Sequence, residues 1–248
     1  MKTLILLSLS FFTSFIFNLS AHDDSSQLAS SREKSRSQVD LARDKTSKPD
    51  QILDFVGIKQ GDQILDFLGG DGYYSELIAN RVGSKGKVLL HNNKAYIPFV
   101  GKALTNREAA GGLDNVARLI SESDDLQLGN EKYDAAILVL GYHDFFYSEH
   151  GWNFPADVAM PQLLKSLKPG GKFLVIDHSA KAGSGISDSK TLHRIEDSFV
   201  KQDLQKRGFK FLKESQILRN EKDLRDIKVF DSKIRRQTDR FIYLFEKQ

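Results

Sequence analysis

The amino-acid sequence predicts an α/β protein with a Rossmann-like, doubly wound, mostly parallel seven-stranded sheet whose last strand is antiparallel. Short apolar runs alternate with segments of helical periodicity, an order typical of parallel strands joined by crossover helices. A glycine-rich turn at residues 69–72 joins the first of these runs to a helix. Only the polar segment 219–239 separates the last two apolar runs, so no crossover helix is expected there and the final strand should run antiparallel.

The individual elements follow from apolar patterning and turn residues. Continuous apolar runs indicate buried strands, which are predicted over residues 64–68, 87–91, 116–120, 135–140, 172–176, 209–218 and 240–245. Apolar residues three or four positions apart indicate helices, which are predicted over residues 50–56, from 73 onward, and over 97–110, 161–167 and 191–207. Pro49 suits a first helical turn and Gly208 a helix end, while Lys-Pro-Gly-Gly at residues 168–171 predicts a turn.

The N-terminal part of the chain differs in composition from the rest. Residues 1–21 combine one charge at Lys2, an apolar core over residues 4–17 and small residues at Ser20 and Ala21, a pattern typical of a cleaved signal peptide. The alternative is an uncleaved anchor, but the core is short for a membrane span. The polar residues 22–48 predict a linker or N-terminal arm, which leaves 49–248 as the domain. We therefore expect a periplasmic or secreted protein with no stable membrane span after signal cleavage.

Charge and cysteine content exclude several classes of function. The 248 residues carry a net charge of +3, and no basic stripe is interleaved with aromatic residues, so no nucleic-acid partner is expected. The chain has no cysteine, which excludes disulfides, thiolate metal sites and a cysteine nucleophile.

The stretch at residues 63–80 is the centre of the predicted site. It reads as a strand containing Asp66, a turn with Gly69, Gly70 and Gly72, and a helix that begins at Tyr73. Glycines allow positive φ angles and a close approach of a ligand to the backbone. The free N–H groups at the start of the helix then point into the crevice at the strand ends.

An acidic residue followed by this glycine turn resembles motif I of the class I methyltransferases that use S-adenosyl-L-methionine (SAM). Lys-Pro-Gly-Gly-Lys-Phe-Leu-Val-Ile at residues 168–176 resembles the fifth-strand entry of the same class. The chain is also similar to a bacterial group of exported, predicted methyltransferases. The residues that carry this similarity are 69–75 (Gly-Gly-Asp-Gly-Tyr-Tyr-Ser), Tyr142-His143-Asp144, Asp177-His178, His193-Arg194 and Thr238-Asp239-Arg240-Phe241.

The resemblance implies SAM as cofactor and assigns residues to it. In the class, the glycine turn wraps the methionine part of SAM and the acid, here Asp66, helps to hold its ammonium group. Glu122 or Asp124 matches the usual acid near the adenine, and Tyr73 is a further candidate contact. Asn92 or Asn93 stands where an acid usually accepts both ribose hydroxyls, which predicts ribose binding weaker by about 1 kcal/mol. Leu68 stands where many members have the first glycine.

Paired His and Asp residues follow two of the later strands and are the candidate catalytic residues. His143 or His178 could act as the base that removes a proton from a small-molecule acceptor, with Asp144 beside His143. Alternatively, His143, Asp144, Asp177 and His178 could bind a divalent metal, or each pair could cap a strand end. Arg194 could clamp an anionic acceptor or lie solvated at the surface, at the start of the predicted last helix.

The sequence therefore predicts an exported SAM-dependent methyltransferase of unknown acceptor. The main rival hypothesis is a non-catalytic protein that keeps the fold and binds another small ligand. A nicotinamide-dependent enzyme is a second rival, which Asp66 and the antiparallel last strand disfavour.

Overall fold

Seven strands form one central sheet in the computed structural model, which describes residues 36–248 of the chain. In chain order the strands are β1 (Gln63–Asp66), β2 (Lys87–Asn92), β3 (Val116–Ile120), β4 (Tyr133–Val139), β5 (Ser148–Glu149), β6 (Trp152–Asn153), β7 (Leu167–His178), β8 (Phe209–Ser215) and β9 (Arg240–Lys247). Strands β5 and β6 form a separate hairpin. The sheet order is β3-β2-β1-β4-β7-β9-β8, and β9 runs antiparallel to both of its neighbours. The predicted sheet with an antiparallel last strand is confirmed.

Helices cover both faces of this sheet. They are α1 (Gln38–Ser47), α2 (Pro49–Val56), α3 (Tyr73–Val82), α4 (Ile97–Ala109), α5 (Ala156–Ser166) and α6 (Asp197–Lys206). Alternate strand residues point to opposite faces. Leu65 and Ala136 therefore pack in one buried cluster with residues of α5 and α6, while Ile64 and Ile137 pack in a second with residues of α2 and α3. Within residues 36–248, no helix has the length and apolar character that a membrane span needs.

Several predicted boundaries were wrong: the helix predicted over residues 161–167 is α5, which begins at Ala156, and the strand predicted over 209–218 ends at Ser215. Residues 191–196 lie outside α6, because His193 has a left-handed backbone (φ +54°) and Ile195 forms an isolated parallel bridge with Ser179. The predicted turn at residues 168–171 lies within β7, where the pairing with β4 shifts register. The Lys-Pro-Gly-Gly segment therefore forms a bulge between the paired residues Leu167 and Lys172, with Gly170 at a φ of +72°.

A buried cluster of charges holds α1 against the sheet domain. Arg107 of α4 is 9% exposed at its side chain, and its Nη1 donates to Asp40 Oδ2 of α1 at 2.8 Å. The same guanidinium binds Glu76, and its Nε donates to the backbone oxygen of Asp71 at 2.9 Å. The segment predicted as a linker or N-terminal arm therefore contains a helix that is fixed by a specific ion pair.

Replacing Arg107 by alanine is expected to lower the free energy of unfolding by about 3 kcal/mol, because Asp40 and Glu76 would stay buried without their cation. Urea unfolding measures this loss. Arg118→Ala is the matched control, since Arg118 pairs with Glu108 in a more exposed setting and should cost less than about 1 kcal/mol. Equal losses in the two variants would contradict the structural role of Arg107.

Candidate active site

The turn after β1 adopts backbone conformations that glycine favours. Gly70 and Gly72 have φ angles of +63° and +79°. Leu68 has a φ of +53° at the place where the resemblance expects a glycine, and Leu140, directly after β4, has a φ of +60°. Positive φ is unfavourable for residues with a Cβ, and such strain is concentrated at functional sites. Two strained leucines therefore flank the crevice between the ends of β1 and β4.

Asp66 ends β1 directly beneath the glycine turn and is 2% exposed. Ser75 Oγ donates a hydrogen bond to its Oδ2 at 2.6 Å. A Cβ added to Gly69 would lie 2.5 Å from both Cγ and Oδ2 of Asp66, so the turn packs directly on the carboxyl group. Burial raises the pKa of Asp66 to about 7, an effect that the Ser75 hydrogen bond offsets only in part. A bound cation would favour the ionised carboxylate.

A cavity of about 270 Å³ opens beside the turn, and we call it the turn cavity. Four predicted residues line it: Asp66, Gly69, Gly70 and Tyr73. The other lining residues are Arg43, Leu68, Asp71, Tyr74, Tyr96, Phe99, Val100, Ala103, Val139 and Leu140. The cavity lies outside the carboxyl ends of β1 and β4, neighbours in the sheet whose connections leave in opposite directions. Open α/β sheets bind their ligands at such a point.

Arg43 brings a cation from α1 to the turn cavity. Its guanidinium lies 3.9 Å from the centre of the Tyr73 ring and 3.6 Å from Oδ1 of Asp71. The Tyr73 hydroxyl donates to Asp44 Oδ1 at 2.5 Å, which fixes the ring against α1. Sequence reasoning missed Arg43, because a single arginine in a polar segment carries no pattern that separates it from its neighbours.

Asn92 lies behind the turn rather than in the turn cavity. Its Oδ1 accepts from the backbone nitrogen of Gly70 and its Nδ2 donates to the Gly70 oxygen, both at 2.9 Å. The amide thus matches the donor and acceptor of one peptide residue, a pairing that a carboxylate cannot make. In this arrangement Asn92 stabilises the turn, and its contact with a ribose stays a prediction.

The other predicted cofactor residues are also placed away from the turn cavity. A Cβ on Gly72 would meet Leu104 Cδ1 of α4 at 3.3 Å, so this glycine faces the helix packing. Glu122 is partly buried, and its Oε1 accepts from the backbone nitrogen of Lys94 at 3.1 Å. Asn93 is buried and accepts the backbone N–H of residue 96 at 3.0 Å. Their contacts with the cofactor stay predictions.

A second cavity of about 260 Å³ lies next to the first, and we call it the arginine cavity. It shares Arg43, Tyr74, Val139 and Leu140 with the turn cavity. Its other lining residues are Ser47, Ile176, His178, Leu218, Val229, Phe230, Arg235, Arg236, Thr238 and Arg240. The arginine cavity therefore extends from the end of β4 across β7 to β9, and it contains the predicted catalytic residue His178.

His143 sits in a buried hydrogen-bond network. Its Nδ1 lies 2.9 Å from Asp177 Oδ1, and its Nε2 lies 3.2 Å from Asp144 Oδ1 and 3.3 Å from His193 Nδ1. Burial would lower the pKa of His143, but the charges of Asp144 and Asp177 raise it well above its usual 6.5. The raised pKa favours the protonated imidazolium and so disfavours His143 as the base.

The network also brings together atoms that could share a metal ion. One ligand atom each from His143, Asp144 and His193 lies within 4.8 Å of the others, and Asp177 would support His143 from behind. The hypothesis from the sequence used His178 and Asp177 in place of His193. His193 was not recognised as a partner because it lies fifty positions along the chain from His143.

His178 has the opposite electrostatic environment. Its Nδ1 lies 2.7 Å from Thr238 Oγ1. Burial and the nearby positive charge of His143 lower the pKa of His178 well below 6.5. His178 is therefore neutral at pH 7 and lines the arginine cavity, so of the two candidate bases it has the required protonation state.

Arg194 has neither of the roles considered from the sequence. Its side chain is fully buried and donates to both carboxylate oxygens of Asp223, at 2.8 and 3.1 Å. Nη1 also donates to the backbone oxygen of Ser179 at 3.1 Å. The prediction of a surface or acceptor-binding arginine was wrong, because Asp223 in the polar segment before β9 neutralises it.

The sheet order, the antiparallel β9 and the buried acid beneath a glycine turn define the fold of a class I SAM-dependent methyltransferase. The model of the ubiE/COQ5 methyltransferase family matches residues 27–196, more than half of the chain, and the chain belongs to this family. Family membership confirms the predicted class of enzyme, with SAM as the cofactor of that class. The similarity to an exported group stays a prediction.

The curated relatives carry one shared description. The ubiquinone/menaquinone biosynthesis C-methyltransferase UbiE of Idiomarina loihiensis is 26% identical over 157 residues, covering 63% of this chain and 56% of the relative. The protein of the same name from Francisella tularensis subsp. holarctica is 28% identical over 130 residues, covering 52% and 48%. The chain thus spans about half the length of the curated relatives it matches.

Solved structures with the same fold cover nearly the whole chain. A SAM-dependent methyltransferase from Aquifex aeolicus aligns with a TM-score of 0.61 at 18% identity, covering 91% of this chain and 99% of the other. A geranyl diphosphate methyltransferase in complex with SAM aligns with a TM-score of 0.59 at 10% identity, covering 94% and 93%. At these identities the likeness establishes the fold.

Proposed function

We propose that the protein transfers a methyl group from SAM to a small-molecule acceptor. The observation that carries this proposal is the buried carboxyl group of Asp66, packed beneath Gly69 and facing the turn cavity at the junction of β1 and β4. Buried carboxyl groups without a cationic partner are costly when ionised. A ligand with a positive charge offsets that cost.

The residues of the turn cavity fit the amino-acid end of SAM. The Asp66 carboxylate suits its ammonium group, and the Arg43 guanidinium suits its carboxylate. Gly69 has no Cβ, so its backbone can pack directly on the Asp66 carboxyl group at the wall of the turn cavity. The positive and the negative group of the ligand would thus each face a protein group of opposite charge.

The arginine cavity is positioned for the acceptor because it shares a wall, Tyr74, Val139 and Leu140, with the turn cavity. When bound, SAM would supply a methyl group on its sulfonium sulfur, so that an acceptor lone pair could bond to the methyl carbon while the C–S bond breaks and its electron pair goes to sulfur. The protein's part is to align the acceptor with that methyl group. Neutral His178 can take the proton that the acceptor loses.

Isothermal titration calorimetry of the full chain with SAM and with S-adenosylhomocysteine tests the proposal. We expect saturable binding of both at one site per chain. Lack of binding by either ligand would contradict the methyltransferase function and favour the rival hypothesis, a non-catalytic protein that binds another ligand. Membership in a methyltransferase family does not favour that rival.

SAM binding is expected to tighten as the pH rises through about 7. In the free protein Asp66 has a pKa of about 7, so it is mostly protonated at pH 6 and mostly ionised at pH 8, and the ammonium group prefers the ionised form. The ionised fraction then rises roughly tenfold from pH 6 to pH 8, and the Kd for SAM should fall by the same factor. Calorimetry at both pH values measures the change. Asp66→Asn is the control that corrects for titration of SAM itself, and an equal pH dependence in this variant would contradict the assignment.

We also propose that the protein is exported. The support is the charge, apolar core and small residues of segment 1–21, which lies outside the described residues. Mass spectrometry of the protein from the cells that naturally produce it should find a chain that starts near residue 21 or 22. An intact Met1 on protein from the cytoplasm would contradict this proposal.

A further inference from the structure

Four arginines line the arginine cavity: Arg43, Arg235, Arg236 and Arg240. No aspartate or glutamate is among its lining residues within the described part of the chain. Arg43 is 3.6 Å from Asp71, which lines the turn cavity instead. For the other three arginines, residues 36–248 supply no ion pair. The cavity therefore has a strongly positive lining.

Arg240 is the buried member of this set, with 7% of its surface exposed. Its Nη2 donates to the backbone oxygen of Thr46 at 2.7 Å, whereas its buried Nε has no hydrogen-bond partner in the described part of the protein. Burial lowers the pKa of Arg240, and the positive charge of Arg43 acts in the same direction, while Tyr74 and Asp239 act in the opposite one. A buried charge with an unsatisfied donor is costly, and an anion in the cavity would offset both costs.

Arg235 and Arg236 lie at the outer part of the cavity, in the polar segment between β8 and β9. Both side chains are exposed. Guanidinium groups bind carboxylates and phosphates through paired N–H donors. The two residues can therefore attract an anion at the opening, while Arg240 holds it inside.

The rest of the lining is largely apolar. These residues are Val139, Leu140, Ile176, Leu218, Val229 and Phe230. A ligand that fills the cavity therefore needs an apolar body as well as a negative charge.

We propose that the arginine cavity binds the methyl acceptor, and that this acceptor is a small amphiphilic anion, with a carboxylate or phosphate group on an apolar body. The inference rests on the proposed methyltransferase function, because it places the acceptor beside the SAM site. The arginine lining and the unpaired Nε of Arg240 argue for the anionic group, and the apolar wall argues for the apolar body.

Calorimetry with three probes of equal chain length tests the proposal on the full chain. Octanoate and octyl phosphate carry the two anionic groups, and octanol carries none. We expect at least one of the anions to bind roughly tenfold or more tightly than octanol, and the tighter of the two identifies the group. Equal binding of octanol and both anions would overturn the proposal.

Arginine variants then locate the binding. The double variant Arg235→Gln/Arg236→Gln changes two exposed side chains and should fold normally, yet we expect it to weaken anion binding roughly fivefold or more and to leave octanol binding unchanged. Arg240→Gln should have a larger effect. The control is Arg118→Gln, a partly exposed arginine outside both cavities, which should change nothing. Unchanged anion binding in the double variant would overturn the proposal.

A separate titration with S-adenosylhomocysteine distinguishes a failure of the anionic-acceptor proposal from a failure of the methyltransferase proposal. If S-adenosylhomocysteine binds but the anions are not preferred over octanol, the methyltransferase proposal stands and the anionic acceptor falls. If the anions are preferred but S-adenosylhomocysteine does not bind, the anion site stands and its role as an acceptor site falls with the methyltransferase proposal.

Discussion

Replacing Gly69 by alanine is expected to reduce SAM affinity by about a hundredfold or more. The new Cβ would lie 2.5 Å from Cγ and Oδ2 of Asp66 and 2.5 Å from Leu90 Cδ1. Leu90 can rotate its terminal methyl group away, but Asp66 is short and buried, so its carboxyl group must leave the hydrogen bond with Ser75. We expect a cost of about 2 kcal/mol in folding free energy from overpacking, with the fold retained.

The matched control for this variant is Gly101→Ala. Gly101 lies within α4, where a Cβ would meet Ile97 Cγ2 at an ordinary 3.4 Å. This change should raise the free energy of unfolding by up to about 1 kcal/mol through helix propensity, and it should leave SAM binding unchanged. Calorimetry and urea unfolding measure both quantities. Wild-type affinity in Gly69→Ala would show that the cofactor does not lie over Asp66.

The Asp66→Asn variant is expected to weaken SAM binding at pH 8 by about 2 kcal/mol or more, roughly thirtyfold, because the ammonium group loses a partly buried counter-charge. Without ligand, the free energy of unfolding of this variant should be close to that of the wild type or higher. An amide keeps the shape and can still accept the hydrogen bond of Ser75, and it removes a carboxylate that burial disfavours.

Methylthioadenosine separates the electrostatic role of Asp66 from general damage to the site. This nucleoside lacks the amino-acid end of SAM, so its affinity should be the same for the wild type and for Asp66→Asn. Calorimetry with both ligands on both proteins completes the comparison. An equal loss for the two ligands, with an unchanged Tm, would refute the ammonium-binding role.

The sheet and the glycine turn were predictable because their signals are local. The apolar runs specified the seven strands, and Asp66 with Gly69 and Gly70 could be recognised from adjacent positions. Gly70 and Gly72 take positive φ angles, +63° and +79°, and this preference belongs to each glycine itself. Local patterns of this kind are independent of the rest of the fold.

Contacts over long sequence separations could not be predicted from the same patterns. Arg43 reaches the turn cavity from α1, which Arg107 helps to hold through Asp40. Arg194 looks like a surface residue until Asp223 is placed beside it, 29 positions away. In each case a charged side chain in a polar segment gave no sign of the partner that buries it.

The electrostatic difference between the two candidate bases also required the fold. His143 and His178 both neighbour an aspartate in sequence, and both are buried. His143 faces Asp144 and Asp177, which raise its pKa, whereas the pKa of His178 falls because of its burial and because it is near the charge of His143. Only the three-dimensional arrangement favours the neutral imidazole at His178, which is why His178 is the proposed base.

A crystal structure of the protein with S-adenosylhomocysteine is the most direct measurement of the central claim. We expect the ligand's ammonium group within hydrogen-bond distance of the Asp66 carboxylate, its carboxylate toward Arg43, and its sulfur facing the arginine cavity. A ligand bound elsewhere, or bound in the turn cavity with its ammonium group away from Asp66, would contradict the account.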